Sequence, residues 1–254
     1  MDKAERLPTP FRVRKKVQEN AKTASFVLDG SLDCAPGQFA MVWLPGVDEK
    51  PFSISGGDPL MFTVSRVGPF SESLHALCPG DMIWVRGPFG NGFSLNSGRA
   101  LLVGGGYGAA PLAFLARSLL TGAPARGVEI ALGARTSTGL LFLERFRDMG
   151  VPVHESTEDG SRGVTGRVTE VVKQLLASAR FVKVQACGPE AMLEVLAEVC
   201  RSAGVPAELS FEAYMRCGIG LCGACEHAGR LVCTDGPVFS LTEVRNVGPT
   251  ALQS

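Results

Sequence analysis

The sequence has no excess of charge of either sign: its 254 residues carry 25 Lys and Arg against 25 Asp and Glu. That balance leaves no electrostatic footprint for nucleic acid or for an acidic membrane surface. An apolar signal segment is also missing, because the N-terminus reads MDKAERLPTPFRVRKK. The expectation is a cytoplasmic protein, in which the eight cysteines are read as thiols rather than four disulfides. No long apolar span is present either. The uncharged stretch ALLVGGGYGAAPLAFLA, between Arg99 and Arg117, is short, studded with glycine and broken by Pro111. It suits a buried strand, turn and helix, not a membrane crossing. Internal repeats and low-complexity tracts are lacking, so the 31 glycines gather in motifs.

What is present is an ordinary globular composition, 45% hydrophobic and 20% charged, at a length that suits two or three domains. Up to residue 98, short β-type runs alternate with turn signals: FRVRKKVQ, SFVLDG, QFAMVWLPG, FSISGG, LMFTVSRVG and DMIWVRGPFG. Such spacing predicts an antiparallel barrel or sandwich. Over 99–206, strand runs such as ALLVGGG, VEIALGAR and FVKVQACG alternate with helical runs such as PLAFLARSLL, VTEVVKQLLASA and EAMLEVLAEVCRSAG. That alternation predicts an α/β domain with a parallel sheet. From Ala207 the pattern stops. The segment 207–254 reads as a small cysteine-bearing domain, closed by metal rather than by a core, with an exposed tail RNVGPTALQS.

In that segment Cys217, Cys222, Cys225 and Cys233 follow the spacing C-x4-C-x2-C-x7-C. The first three match the plant-type spacing for a [2Fe-2S] cluster, and thiolates suit iron and sulfide. Gly218, Gly220 and Gly223 let the backbone wrap closely and turn N–H groups toward sulfur. The two-pair spacing usual for structural zinc is absent, as is the bacterial four-iron run. Zinc stays open as the alternative metal. His227 lies inside the loop and reads as a solvated histidine, since four cysteines suffice without it.

The α/β region opens with a strand running into Gly104, Gly105, Gly106 and Gly108 and then into a helix. Backbone N–H groups there can receive a pyrophosphate. The spaced G-x-G-x-x-G fingerprint is missing, and a tight turn with no ligand is the lesser alternative. A later strand ends in Cys187, Gly188 and Pro189, where ligands of parallel sheets bind. Cys187 has a plain alternative as a small buried hydrophobe. Cys34, Cys78 and Cys200 have no ligand spacing and read as packed or loop thiols.

KPFSI, VGPFSESLHALCPGD, GPFGNGF, GGGYGAAPL, ACGPEAM and YMRCGIGLCGAC with CTDGPVF occur in an order that resembles the ferredoxin–NADP reductase superfamily. More narrowly, they resemble the electron-transfer subunits of B-type dihydroorotate dehydrogenases. The resemblance spans nearly the whole chain. It implies a flavin barrel, a nucleotide domain and a [2Fe-2S] domain, with FAD bound and NAD as co-substrate. It further implies that Pro51, Phe52 and Ser53 lie along the flavin, with Ser53 near the reactive ring nitrogen. Lys50 stands where the family has arginine, offering a point charge in place of a fork. Gly68, Ser71 and Ser73 fall on the pyrophosphate loop, the glycines at 104–108 on the pyridine nucleotide, and Cys187 beside the nicotinamide.

By the same resemblance, Ser53 and Cys187 serve hydride transfer by orientation and exclusion of water. The partner implied is an FMN-bearing dihydroorotate dehydrogenase catalytic subunit in a heterotetramer of two of each, with no nucleic acid or membrane. Related subunits of sulfhydrogenases and ferredoxin–NADP transhydrogenases are the alternative, and a zinc-stapled nucleotide-binding regulator is a third reading. Arg135, Thr136 and Ser137 are candidates to meet a 2′-phosphate. Glu158 and Asp159 read as the acidic side of the same choice between NAD and NADP, or as a solvated turn.

Overall fold

The structure, a computed structural model, describes residues 7–95, 98–122 and 127–244. The expected tail, 245–254, lies outside these residues. Six strands, β1 (Thr9–Gln18), β2 (Thr23–Leu28), β3 (Phe39–Leu44), β4 (Asp48–Gly57), β5 (Leu60–Ser65) and β6 (Met82–Phe89), form a closed antiparallel barrel in the order β1-β2-β5-β4-β3-β6. Alternate residues of β5 and β6 point inward, the period of two that a half-buried strand requires. Phe26, Phe62, Ile54, Leu60 and Ile83 fill the interior with at most 2% exposure. Each contributes about 1.5–3 kcal/mol by burial, so Phe62→Ala, which also leaves a cavity, would cost about 3–5 kcal/mol.

Between β5 and β6 the sequence suggests only a loop, but the structure makes helix α1 (Pro69–Ala76). Proline at its first position is pre-set for helix, and Phe70 and Leu74, one turn apart, plug into the barrel core.

The second layer is a seven-stranded sheet, formed by β7 (Ala100–Gly105), β8 (Val128–Ala134), β9 (Val153–Thr157), β10 (Val164–Thr165), β11 (Lys183–Cys187), β12 (Ala207–Ser210) and a last strand, Val238–Ser240. Its order is β10-β9-β8-β7-β11-β12 with 238–240 at the edge, and all pairings but that last one are parallel. Helices α2 (Ala109–Gly122) and α3 (Leu143–Asp148) share one apolar core, and α4 (Val168–Ser178) and α5 (Glu190–Ala203) the other. A sheet covered on both faces needs continuous apolar strands, and every residue of β7 is buried. The boundary expected at 206 falls just before a strand of this sheet, because β12 pairs with β11 from Val184↔Ala207 to Cys187↔Ser210.

After β12 the chain forms the cysteine segment, with β13 (Glu226–His227), β14 (Arg230–Leu231) and α6 (Val232–Asp235). It then returns as β15, the strand Val238–Ser240, and ends in α7 (Leu241–Val244). Polar contacts join barrel and sheet: Glu19 pairs with Arg145, and Asn20 Nδ2 donates to the Thr138 carbonyl over 3.1 Å.

Candidate functional site

Where the barrel meets the C-terminal ends of β7 and β11 lies a cleft of about 220 Å³. Its walls bring Pro51, Phe52 and Ser53 of β4 together with Gly108 and Cys187 of the sheet domain. Ring stacking of Phe52 on Phe70, at 6.0 Å, stiffens the barrel wall. Ser55 Oγ on this wall is buried and has no partner in the protein, so a polar group in the cleft would satisfy it.

The Cys187 thiol is buried, and burial, then the charge of Glu212, pushes its pKa up to about 12. It is a neutral packing group at neutral pH. Tyr107 Oη donates to Glu212 Oε2 over 3.1 Å in the same cleft. Partial burial and Glu212 push the Tyr107 hydroxyl up to about 12, and burial also raises the Glu212 carboxyl. Sequence reasoning passed over both residues, although Tyr107 interrupts the glycine run and Glu212 follows a strand end.

Lys50 and the serines of the expected pyrophosphate loop behave differently. Lys50 does not line the cleft; its ammonium pairs with Asp48 at 2.6 Å and stands 5.5 Å from the centre of the Tyr214 ring. Ser71 Oγ accepts from the Val67 and Gly68 N–H groups at 2.9 and 3.0 Å, and donates to the Gly68 carbonyl. Ser73 donates to the Pro69 carbonyl. Both hydroxyls are therefore engaged in starting α1, whereas Gly68 itself has open space around it.

A larger cavity of about 710 Å³ lies over the C-terminal edge of the sheet. Gly105, Gly106 and Pro189 line it together with Arg135, Thr136 and Glu158. The β1–β2 turn of the barrel adds Asn20, Ala21 and Lys22, a contribution with no signal in the sequence. The glycines divide by role. Gly106 has φ +56° and nothing within 4 Å of a built Cβ, so its face is open to the cavity. At Gly104, Gly105 and Gly188 a Cβ would strike Leu132, Met192 or Pro189, so these glycines allow helix starts to press onto strand ends. Asp159 does not line the cavity; its carboxylate takes the Ser161 N–H and hydroxyl, which lower its pKa. Ser137 likewise turns to Ser161.

The four cysteines of the loop come together as two couples. Cys233 N–H donates to Cys225 Sγ over 3.5 Å, and Cys222 acts on the Cys217 thiol. A two-iron cluster held by four cysteines needs two thiolates for each iron, so the couples suit it. Among the described residues, no group of three or more His, Cys, Asp or Glu side chains is placed to hold a single metal ion. Gly218, Gly220 and Gly223 have φ between +71° and +75°, a wrap that few other residues adopt. This wrap aims backbone donors at sulfur: Ile219 and Leu221 N–H at Cys217 Sγ, and Gly220 N–H at Cys233 Sγ at 3.2 Å. Burial opposes a charged Cys217, but N–H donors from Ile219, Cys222 and Leu221 outweigh it and lower its pKa to about 6.

His227 is not the solvated histidine expected. Its side chain is 20% exposed, its ring tilts against Phe211 at 6.0 Å, and Nε2 lies 3.5 Å from Glu190. A histidine placed two residues after Cys225, at the start of a short hairpin, packs back onto the sheet domain. Cys78 is exposed, Cys34 half-buried and Cys200 buried, as packed or loop thiols.

A barrel and a parallel nucleotide sheet that share one cleft, followed by a loop carrying four cysteines, define an NAD-linked flavin and iron–sulfur oxidoreductase subunit. Residues 102–198 match the oxidoreductase NAD-binding domain, and residues 212–245 match the iron-sulfur cluster binding domain of dihydroorotate dehydrogenase B. The chain is 42% identical over 236 residues to the probable dihydroorotate dehydrogenase B (NAD(+)), electron transfer subunit, of Methanocaldococcus jannaschii, covering 91% of this chain and 89% of that one. It is 42% identical over 233 residues to the counterpart from Pyrococcus horikoshii, covering 91% and 88%. A solved structure of an NADH-dependent reduced ferredoxin-NADP oxidoreductase superposes with TM-score 0.83 at 30% identity, covering 92% of this chain and 88% of that one. The chain belongs to the family of dihydroorotate dehydrogenase B electron-transfer subunits. Its cofactors are FAD and an iron–sulfur cluster, with NAD as the nucleotide. Among the described residues, no helix is long and apolar enough to cross a membrane.

Proposed function

We propose that this subunit carries electrons between NAD and an FMN-bearing dihydroorotate dehydrogenase subunit, in a cytoplasmic heterotetramer of two of each. The partner oxidises dihydroorotate to orotate, and the electrons leave through this chain to NAD. The division of labour along the chain is flavin for 1–98, nucleotide for 99–206 and cluster for 207–254, with 207–210 and 238–240 lending the last two strands to the nucleotide sheet.

When bound, FAD exchanges two-electron for one-electron chemistry, and the [2Fe-2S] cluster carries single electrons. The protein's work is to bind, orient and keep dry. Pro51, Phe52 and Ser53 wall the flavin, with the Ser53 hydroxyl offered to the reacting ring nitrogen and the Gly68 backbone open toward the diphosphate. Cys187 packs at the nicotinamide face with its proton held on sulfur. Gly105, Gly106 and Pro189 line the nucleotide's cavity, and Gly104, Gly108 and Gly188 shape its approach through packing. Cys217, Cys222, Cys225 and Cys233 hold the cluster. Lys50, engaged with Asp48 and Tyr214, reaches the flavin phosphates only by leaving both. The observation that carries this reading is the meeting of Ser53, from the barrel, with Cys187, from the sheet, in one cleft.

The likeness to the ferredoxin-NADP oxidoreductase favours a second reading, in which the same cofactors serve a different large flavoprotein. Anaerobic affinity purification from the source cell separates the two. Recovery with an FMN dehydrogenase and dihydroorotate-dependent NAD reduction support the first, and recovery only with another flavoprotein or a hydrogenase overturns it. Zinc without iron or sulfide would overturn both.

A further inference from the structure

The cysteine segment is fastened to the barrel, and the fastening starts at a cysteine. Arg86 on β6 donates from Nη1 to the main-chain oxygen of Cys217 over 2.8 Å. Its other two nitrogens form a fork on Glu49 of β4, Nε to Oε1 at 2.6 Å and Nη2 to Oε2 at 2.7 Å. The side chains are only 11% and 24% exposed, and the guanidinium also stands 5.4 Å from the Phe89 ring centre. All three nitrogens are thus committed in a place where water competes weakly, the condition under which a charge-assisted bond holds its geometry.

Around this pin the loop lies flush on the barrel. A Cβ on Gly218 would come within 3.1 Å of Met41 on β3 and 3.5 Å of Phe89 on β6. The far end of the loop is fastened too, because Asn91 Nδ2 donates to the Asp235 carbonyl at 2.8 Å, two residues past Cys233. Glu49, which orients Arg86, and Ser53, which lines the flavin cleft, sit on the same strand. Four residues of β-strand span about 13 Å and bend little. One rigid strand therefore connects the flavin wall to the carbonyl of the first cysteine.

We propose that Arg86 is a positioning residue for electron exchange between flavin and cluster: by fixing the Cys217 carbonyl to the barrel, it sets the spacing between the two redox groups. This rests on the cofactor placement given above. One-electron exchange falls steeply with distance, and a displacement near 1 Å is enough to matter. Lysine keeps the charge at this position but loses the fork, so it cannot hold Glu49 and Cys217 at once.

The test uses the full chain loaded with FAD and cluster, mixed anaerobically with NADH in a stopped-flow instrument, comparing wild type with R86K and R86Q. Flavin bleaching and cluster bleaching are followed separately, and the reduced cluster is recorded by electron paramagnetic resonance. The expected result is an unchanged flavin phase, a cluster phase slowed about tenfold in R86K and further in R86Q, and a broadened cluster signal. Wild-type cluster phases in loaded variants overturn the proposal. So does loss of the cluster from one variant with normal transfer in the other, which assigns Arg86 to assembly alone. Wild-type protein lacking flavin or iron–sulfur absorbance would instead sink the functional reading beneath it.

Discussion

Gly108 and Cys187 stand so close that a methyl group on the first would collide with the main-chain oxygen of the second and lie 2.9 Å from the Gly188 nitrogen. Both obstacles are backbone, so neither can swing aside. Gly108→Ala is expected to destabilise the chain by about 3 kcal/mol through overpacking and to loosen the flavin cleft both residues line. Urea midpoints and the rate of FAD release measure the two effects, and a wild-type midpoint would show the strand ends to be softer than this contact implies.

The buried thiols are expected to be inert. With its pKa near 12, Cys187 forms almost no thiolate at pH 8; buried Cys200 follows near 12, and half-buried Cys34, raised by partial burial and then by Asp33, near 11. Iodoacetamide should label exposed Cys78 first in the cofactor-loaded protein, as read by peptide mass spectrometry. The sign for stability is definite. A raised folded pKa contributes stability that is complete below the ordinary thiol value of 9.0 and is lost as pH climbs toward 12. Rapid Cys187 labelling at pH 8 would contradict the packing described.

Glu208 anchors a polar network inside the sheet: its carboxylate receives Lys183 Nζ at 2.6 Å, the Ser94 hydroxyl at 2.6 Å and Gln185 Nε2 at 2.8 Å. Burial acts to raise its pKa, but Lys183, Ser94 and Gln185 together hold it below the ordinary 4.5. A depressed pKa contributes stability above 4.5 that is lost as pH falls through the folded value. Lys183→Met should cost about 2–4 kcal/mol by leaving the carboxylate unpaired and should flatten the loss of stability below pH 4.5. Denaturant titrations at pH 7 and pH 4 test both.

Glu158 lines the large cavity beside Arg135 and Thr136. With the nucleotide seated there as proposed, the carboxylate would accept from a ribose diol and repel a 2′-phosphate. Glu158→Gln is expected to shift the ratio of kcat/KM for NADPH over NADH upward by about tenfold. An unchanged ratio would place discrimination elsewhere in the cavity.

The barrel strands and the alternating strands and helices of the second domain were legible because each carries its own period, two or near 3.6. The missed elements lack one. Helix α1 is eight residues long and hidden in a serine- and proline-rich stretch, made helical by the fit of Phe70 and Leu74 into the barrel end. The strand β12 is four residues long, too short to show a pattern, and is made a strand by its neighbours.

The site was legible as motifs but not as contacts. The cysteine spacing pointed to a cluster loop, and its glycines do turn backbone N–H groups toward sulfur. Nothing local, however, signals that Lys50 turns to Tyr214, that Ser71 serves its own helix, or that Lys22 of the barrel reaches the large cavity. Those facts depend on distant residues brought near.

The strands before and after the cysteines lie side by side, with Leu209 opposite Phe239 and the Phe211 N–H closing on the Pro237 carbonyl at 2.9 Å. Topologically, everything between them is an excursion that starts and finishes at one point on the sheet's rim. A short turn in its place would leave the strand order untouched. The threading of barrel and sheet is thus independent of the cysteine segment, which is joined to them by side-chain contacts and not by the order of the strands.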